Sequence, residues 1–222
     1  LIACAAAGMI IGVVTKTGVG LKLASFLVGL SGGHMILLLF CTMITSLILG
    51  MGVPTTANYV ITSTIAAPAL IGVGVPLLAA HMFVFYFGII ADITPPVALA
   101  AFAGSAISGG NPLKTAVNAS KLGIAAFIVP YVFVLSPAIL GINATALQMG
   151  FTTITALIGM IGVSAAMIGY FYRRVPLVLR IVLFGAGLCL IDPTPMTDLV
   201  GAGIMLSILV YQYMTKTREY KV

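Results

Sequence analysis

Two apolar runs, Met35–Leu49 and Ala57–Ile71, meet at a short polar tip, Gly50-Met51-Gly52-Val53-Pro54-Thr55-Thr56-Ala57-Asn58. Each run holds about 15 residues, so as helix it reaches only about 22 Å, short of the roughly 30 Å hydrocarbon core of a bilayer. The pair therefore reads as a re-entrant hairpin whose tip stops near mid-membrane. Non-helical backbone at that depth survives only where protein buries it or it lines a wet cavity. A tip offering carbonyls, amides and hydroxyls there is a candidate binding site.

The bilayer itself follows from composition. Of 222 residues, 61% are hydrophobic and 6% charged, against roughly 25% charged in a soluble domain. The fold class is an all-α integral membrane protein. The net charge of +6 would suggest nucleic acid in a soluble chain. Here the basic residues flank apolar runs and act as topology determinants, which sets nucleic acid aside as a partner. Cys4, Cys41 and Cys189 sit singly in apolar runs and read as small buried hydrophobes. The chain opens on Leu1 inside an apolar run without a leader; it is expected to be the C-terminal part of a longer protein.

Leu1–Val14 reads as the tail of a spanning helix, with Gly8 and Gly12 spaced for close helix contact. Residues 17–33 suit a short arm helix at the interface. The hairpin occupies 35–71. Leu77–Ile107 is long enough to span, but Asp92-Ile93-Thr94-Pro95-Pro96 breaks it, since two prolines remove two donors and push Thr94 out of helical geometry. The half-helices Leu77–Ala91 and Val97–Ile107 then face an unwound joint, the strongest sequence pointer to a transporter's midplane site. Ser108–Lys121 is a polar loop with a second interfacial helix start, and Leu122–Leu140 is expected to span. Leu147–Tyr172, Leu177–Ile191 and Leu199–Met214 are further apolar segments, the last two short. The predicted units are 1–141, the transporting part, and 142–222, accessory helices.

Alternating spans put Lys114, Lys121, Arg173, Arg174, Arg180, Lys216, Arg218 and Lys221 on one face, with Asp192 and Asp198 on the other. The basic face is cytoplasmic by the positive-inside rule, against the votes of Lys16 and Lys22. The C-terminus is then cytoplasmic and the hairpin enters from the opposite side.

At the tip, Gly50 and Gly52 let carbonyls approach an ion, and Pro54 stops the incoming helix. Thr55, Thr56 and Asn58 add oxygens suited to a hard cation, and the second half-helix begins there with amides for a carboxylate. The plainer alternative is a turn with Thr55 or Thr56 as N-cap. Asp92, the only acidic residue before Asp192, is suited to holding sodium, carrying a proton or capping the joint. Thr94, with the carbonyls before Pro95 and Pro96, is the better cation-ligand candidate. His34, His81, Tyr59, Phe83, Phe85, Tyr86 and Phe87 read as packing or capping residues. Nothing in the sequence forms a catalytic constellation, so enzymatic activity is not expected.

The tip Gly50–Tyr59 and the run Phe85–Ala100, with its Thr-Pro-Pro-Val break, resemble the large permease subunit of TRAP transporters, the DctM-like family. Pro-Thr-Thr-Ala at 54–57, Ala80–Gly88 and Gly109–Thr115 are more similar to its TAXI-type fused permeases. The resemblance runs from about Ala3 to Leu140, and the part from Asn143 resembles the extra helices of such fusions. It implies two inverted repeats in an elevator-type fold of the ion-transporter superfamily, of which this chain holds the second. It also implies a bacterial or archaeal inner membrane and a TAXI-type periplasmic solute-binding protein delivering an organic anion such as a carboxylate. Upstream first-repeat and small-subunit helices would complete the permease. An ion gradient, usually sodium, drives uptake in that family, making Gly50, Thr55, Asp92 and Thr94 the sodium-ligand candidates with no other cofactor; Asp92 is equally compatible with proton coupling. The resemblance favours a binding tip over a plain turn. The competing function is a non-transporting membrane subunit that packs against partner helices.

Overall fold

The computed structural model of the chain describes residues 8–9, 12–13, 16–192 and 194–219, apart from the side chains of 195 and 215–219. The rest of the helix expected over Leu1–Val14, and the side chains of Lys216, Arg218 and Lys221, lie outside the described residues. Among the described residues no strand forms beyond a lone bridge between Tyr170 and Arg174. The protein is all-α and divides into two compact units, Leu1–Ser120 and Lys121–Val222.

In the first unit, α1 (Val19–Leu30) buries Gly20, Ala24 and Leu27 at helical spacing and leaves Lys22 and Phe26 outside. The hairpin consists of α2 (Met35–Gly50) and α3 (Thr55–Ile65). Between them Gly52 takes a left-handed φ of 75°, open to glycine at little cost, and Pro54 occupies the N-cap of α3. The second apolar run is not one helix: Ala66 interrupts it and α4 (Ala67–Gly72) continues with Pro68 in its first turn. Pro68 has no N–H to donate and its ring crowds the carbonyl of Thr64, so the helix must restart there.

The long broken segment follows. α5 (Leu77–Ile90) runs into a 3-10 turn at Ala91–Ile93, a cis bond joins Pro95 to Pro96, and α6 (Leu99–Ser108) resumes the path. Both hairpin helices pack on α5, whose Phe83 and Phe87 are fully buried and meet edge to face at 4.9 Å. Where lipid replaces water as the alternative, transferring apolar surface gains little, so close packing and internal hydrogen bonds must hold such a bundle. The helix start expected within the polar stretch Ser108–Lys121 falls at Pro112: α7 (Pro112–Leu122) starts with Asn111 Oδ1 accepting the Lys114 amide at 3.1 Å.

In the second unit the span expected over Leu122–Leu140 is shorter. α8 (Ile124–Leu135) has 12 residues, about 18 Å of helix, and ends where Pro137 forces Ser136 out of helical geometry. A 3-10 turn, Pro137–Leu140, follows. α9 (Ala146–Ile168) opens on a reciprocal cap between Thr145 and Gln148. α10 (Leu177–Cys189) returns and α11 (Pro195–Glu219) runs forward again. The last helix exceeds the expected Leu199–Met214, because Pro195 and Asp198 are helix-start residues that an apolar pattern passes over. Among the described residues two helices, Ala146–Ile168 and Met196–Met214, are by themselves long and apolar enough to cross a membrane. Near the far end of α11, buried Gln212 accepts the amides of Tyr172 at 3.0 Å and Arg173 at 3.2 Å.

Glycines set the spacing of α9, α10 and α11. A Cβ placed on Gly187 would lie 2.7 Å from the carbonyl oxygen of Gly159, and one on Gly159 equally close to that of Gly187. One on Gly201 would lie 2.7 Å from the oxygen of Ala186. Gly187→Val is therefore expected to lower stability by about 1–3 kcal/mol through overpacking. Gly185→Ala, whose new Cβ meets nothing within 4 Å, is the near-neutral control. Thermal melts of both variants in detergent check this.

Candidate functional site

The tip of the hairpin and the break of the long segment lie against each other. A Cβ on Gly50 would stand 2.8 Å from Cβ of Ala91, and one on Gly52 3.9 Å from Cγ1 of Val97. The residues singled out at 50–58 and 92–96 thus belong to one neighbourhood.

Asn58 joins them. It is fully buried, and its Nδ2 donates to the carbonyl of Gly88 at 2.7 Å. Cβ atoms on Gly50 and Gly88 would come within 2.5 Å and 3.1 Å of that same nitrogen. Two glycines thus make the slot that admits the amide. Its Oδ1 is buried without a hydrogen-bond partner, as are the hydroxyls of Thr42 and Ser46 on α2. Thr42, Ser46 and Gly50 recur every four residues on one buried face of α2. Other hydroxyls of the hairpin behave differently: Thr45, Thr62 and Thr64 each donate to the carbonyl one turn back.

Thr55 and Thr56 are the first two residues of α3, so neither is its N-cap, and the Pro54 that holds that position supplies no side-chain cap. The amide of Asn58 reaches back to the Pro54 carbonyl at 2.9 Å. The amides of Thr55, Thr56 and Ala57 precede any intrahelical acceptor and carry the positive end of the helix dipole. Gly50 O takes a long turn bond from the Val53 amide at 3.4 Å, which leaves it a second lone pair.

At the break, most carbonyls freed by the prolines are taken. Ile90 O accepts from Thr94 Oγ1 at 2.7 Å, Ile93 O from Ser120 Oγ at 2.9 Å, and Thr94 O from the Ala98 amide at 3.1 Å. The Thr94 hydroxyl has spent its proton on Ile90 and keeps acceptor lone pairs. Asp92 is half-buried in the 3-10 turn. The carbonyl of Asp92 faces Pro96 in helical register and so has no amide to receive. No group of three His, Cys, Asp or Glu side chains gathers among the described residues. A cation at this place would meet neutral oxygens with one carboxylate nearby, a set suited to a hard monovalent ion.

The aromatic run is packing. Tyr59 Oη lies 3.1 Å from Nδ1 of His81, and its ring meets Phe85 edge to face at 5.3 Å. Sequence reasoning passed over Gly88, Ser46, Thr42 and Ser120. The four-residue spacing from Thr42 through Ser46 to Gly50 was the available signal for two of them.

Gly50→Ala is expected to destabilise by about 1–3 kcal/mol, because the new methyl meets the Asn58 amide. Gly50→Ala combined with Asn58→Ala should cost less than the sum of the two single changes, since truncating Asn58 removes the clash. A double-mutant cycle by denaturant or thermal melts measures that coupling.

A family model, that of the DctM component of the tripartite ATP-independent periplasmic transporter, matches residues 1–149. No curated protein and no solved structure gives a match.

Proposed function

The chain belongs to the DctM family of tripartite ATP-independent periplasmic transporters, and on that premise we propose that it forms part of the ion-coupled pathway for an organic anion. That family is a family of transporter permeases, and its members work in the membrane with a periplasmic solute-binding protein. The finer assignments are our own: the second inverted repeat of a TAXI-type fused permease, a re-entrant hairpin at α2–α3, and an elevator motion. The inner-membrane setting, with the basic turns and the C-terminus cytoplasmic, belongs to the same proposal.

The observation that supports it is the approach of the hairpin tip to the break, Gly50 to Ala91 and Gly52 to Val97, with opposite chemistries on the two elements. The α3 amides at Thr55–Ala57 are donors without intrahelical acceptors. The tip and the break also carry acceptors: Asn58 Oδ1, the spare lone pairs of Gly50 O and Thr94 Oγ1, and the Asp92 carboxylate. Donors suit a substrate carboxylate; acceptors suit sodium. A cation seated first neutralises the acceptors and fixes the tip, after which the amides receive the anion. Gly50, Thr55, Asp92 and Thr94 are the proposed sodium ligands. Gly52, Pro54, Thr56, Asn58, Pro95 and Pro96 shape the surrounding pocket.

Uptake is expected to fall at least about tenfold in Thr94→Ala, equivalent to about 1.4 kcal/mol, and in Thr55→Ala/Thr56→Ala, with the protein still folded. Thr94→Ser should retain uptake because it keeps the hydroxyl. Unchanged uptake and sodium dependence in the alanine variants would sink the assignment. A second measurement is a thermal melt in sodium chloride against choline chloride. A cation bound only by the folded state raises the melting temperature, and the rise should disappear in Thr94→Ala. No shift with sodium or lithium would favour a packing subunit without ion coupling.

A further inference from the structure

The second unit holds a feature that the transport proposal does not use. A cavity of about 430 Å³ lies where the 3-10 turn after α8, the start of α9 and the start of α11 come together. Its polar lining includes Ser136, Asn143, Gln148, Thr152 and Asp198, and Leu147 and Phe151 supply apolar wall. None of the lining residues is basic.

Asp198 stands in the first turn of α11, where a carboxylate suits the helix dipole, yet one of its oxygens is left without a partner. The threonine hydroxyls at the start of α11 are engaged with each other and with carbonyls. Thr197 Oγ1 donates to Thr194 O at 2.8 Å and stands 2.6 Å from Thr194 Oγ1. Asp198 Oδ1 is buried and has no hydrogen-bond partner. A carboxylate with one oxygen shut off and unpaired is costly in apolar surroundings. The compensation open to it is through the cavity that the same residue borders. One neighbouring hydroxyl of the lining is turned the same way. Thr155 has given its proton to Thr152 O at 3.2 Å, so its oxygen is left as an acceptor.

From this arrangement we propose that the cavity binds a primary ammonium group against Asp198. A bare metal ion wants a closed shell of oxygens at about 2.3–2.6 Å, which a mixed cavity of 430 Å³ does not provide. That volume and its half-apolar wall match an organic ligand, and an ammonium offers three donors to a carboxylate and hydroxyls. Both membrane-length helices, α9 and α11, begin at this cavity. It therefore sits at a membrane boundary, where the ammonium has two sources: the ethanolamine headgroup of a phospholipid, or a free aliphatic amine.

The experiment is thermal melting of the whole chain in detergent, followed by circular dichroism. Ethylammonium chloride and phosphatidylethanolamine in mixed micelles are the probes. Tetramethylammonium chloride, phosphatidylcholine and sodium chloride, which offer no N–H, are the controls. A saturating probe should raise the melting temperature by about 5 °C. The rise should vanish in Asp198→Asn and in Ala144→Phe, which fills the cavity and keeps the carboxylate. Stabilisation by the lipid alone assigns the headgroup, and stabilisation by ethylammonium assigns a free amine. No shift with either amine overturns the proposal. So does an equal shift in both variants, or a shift matched by tetramethylammonium or sodium.

Discussion

Backbone carbonyls at the break in the long segment have lost their helical partners, and the structure of the first unit is organised around closing them. A helix that stops inside apolar surroundings leaves its last carbonyls without partners, and each open one costs several kcal/mol. Here three side chains from three places do the closing. Asn58 from the hairpin takes Gly88, Thr94 folds back on Ile90, and Ser120 from the end of α7 takes Ile93. The consequence for packing is direct. Asn58 can reach Gly88 only if nothing stands at Gly50 or Gly88, so the closest approach of hairpin and broken helix is set by two absent Cβ atoms.

The second unit meets the same solvent with a different device. α9, α10 and α11 approach until their backbones touch across Gly159, Gly187 and Gly201, which maximises dispersion contact where the transfer of apolar surface from water no longer contributes. Large side chains such as Leu147, Ile181 and Leu199 are left facing outward. In water that distribution would aggregate; in lipid it is neutral. Polar closure therefore fixes the first unit, and close backbone packing the second.

Much of this was legible in the chain. The first arm of the hairpin could be bounded to within a residue, Met35–Leu49 against α2 at Met35–Gly50, because glycine and proline punctuate the tip. The break at Asp92–Pro96 was legible because two adjacent prolines admit no continuous helix. The split at Ala66 was missed although Pro68 announces it: one proline inside an apolar run reads as a tolerated kink. The break inside the expected span Leu122–Leu140 was missed for a related reason, since the run stays largely apolar on both sides of the stop that Pro137 imposes at Ser136. Partnerships were the least legible part. Nothing in a linear pattern says that Asn58 will spend its amide on residue 88, thirty positions away, or that Ser120 will answer Ile93.

That difference changes the chemistry open to the candidate site. Sequence alone suggests a break full of free carbonyls and a tip full of free hydroxyls. In the structure most of the carbonyls are closed, and the groups that remain are sorted by sign. Asn58 and Thr94 each use their hydrogens inward on a carbonyl, and each thereby presents an oxygen as acceptor. The act that satisfies the backbone also prepares the acceptors, so stability and ligand chemistry at this place rest on the same bonds. In the proposed cycle the cation is the partner that the Thr94 oxygen lacks, with Asn58 shaping the pocket beside it. Arrival of the cation would complete the polar closure of the break as well as the pocket for the anion. Loss of either Asn58 or Thr94 would then lower stability, without unfolding the protein, as well as transport, whereas Thr55 and Thr56, which close no carbonyl, would act on transport alone.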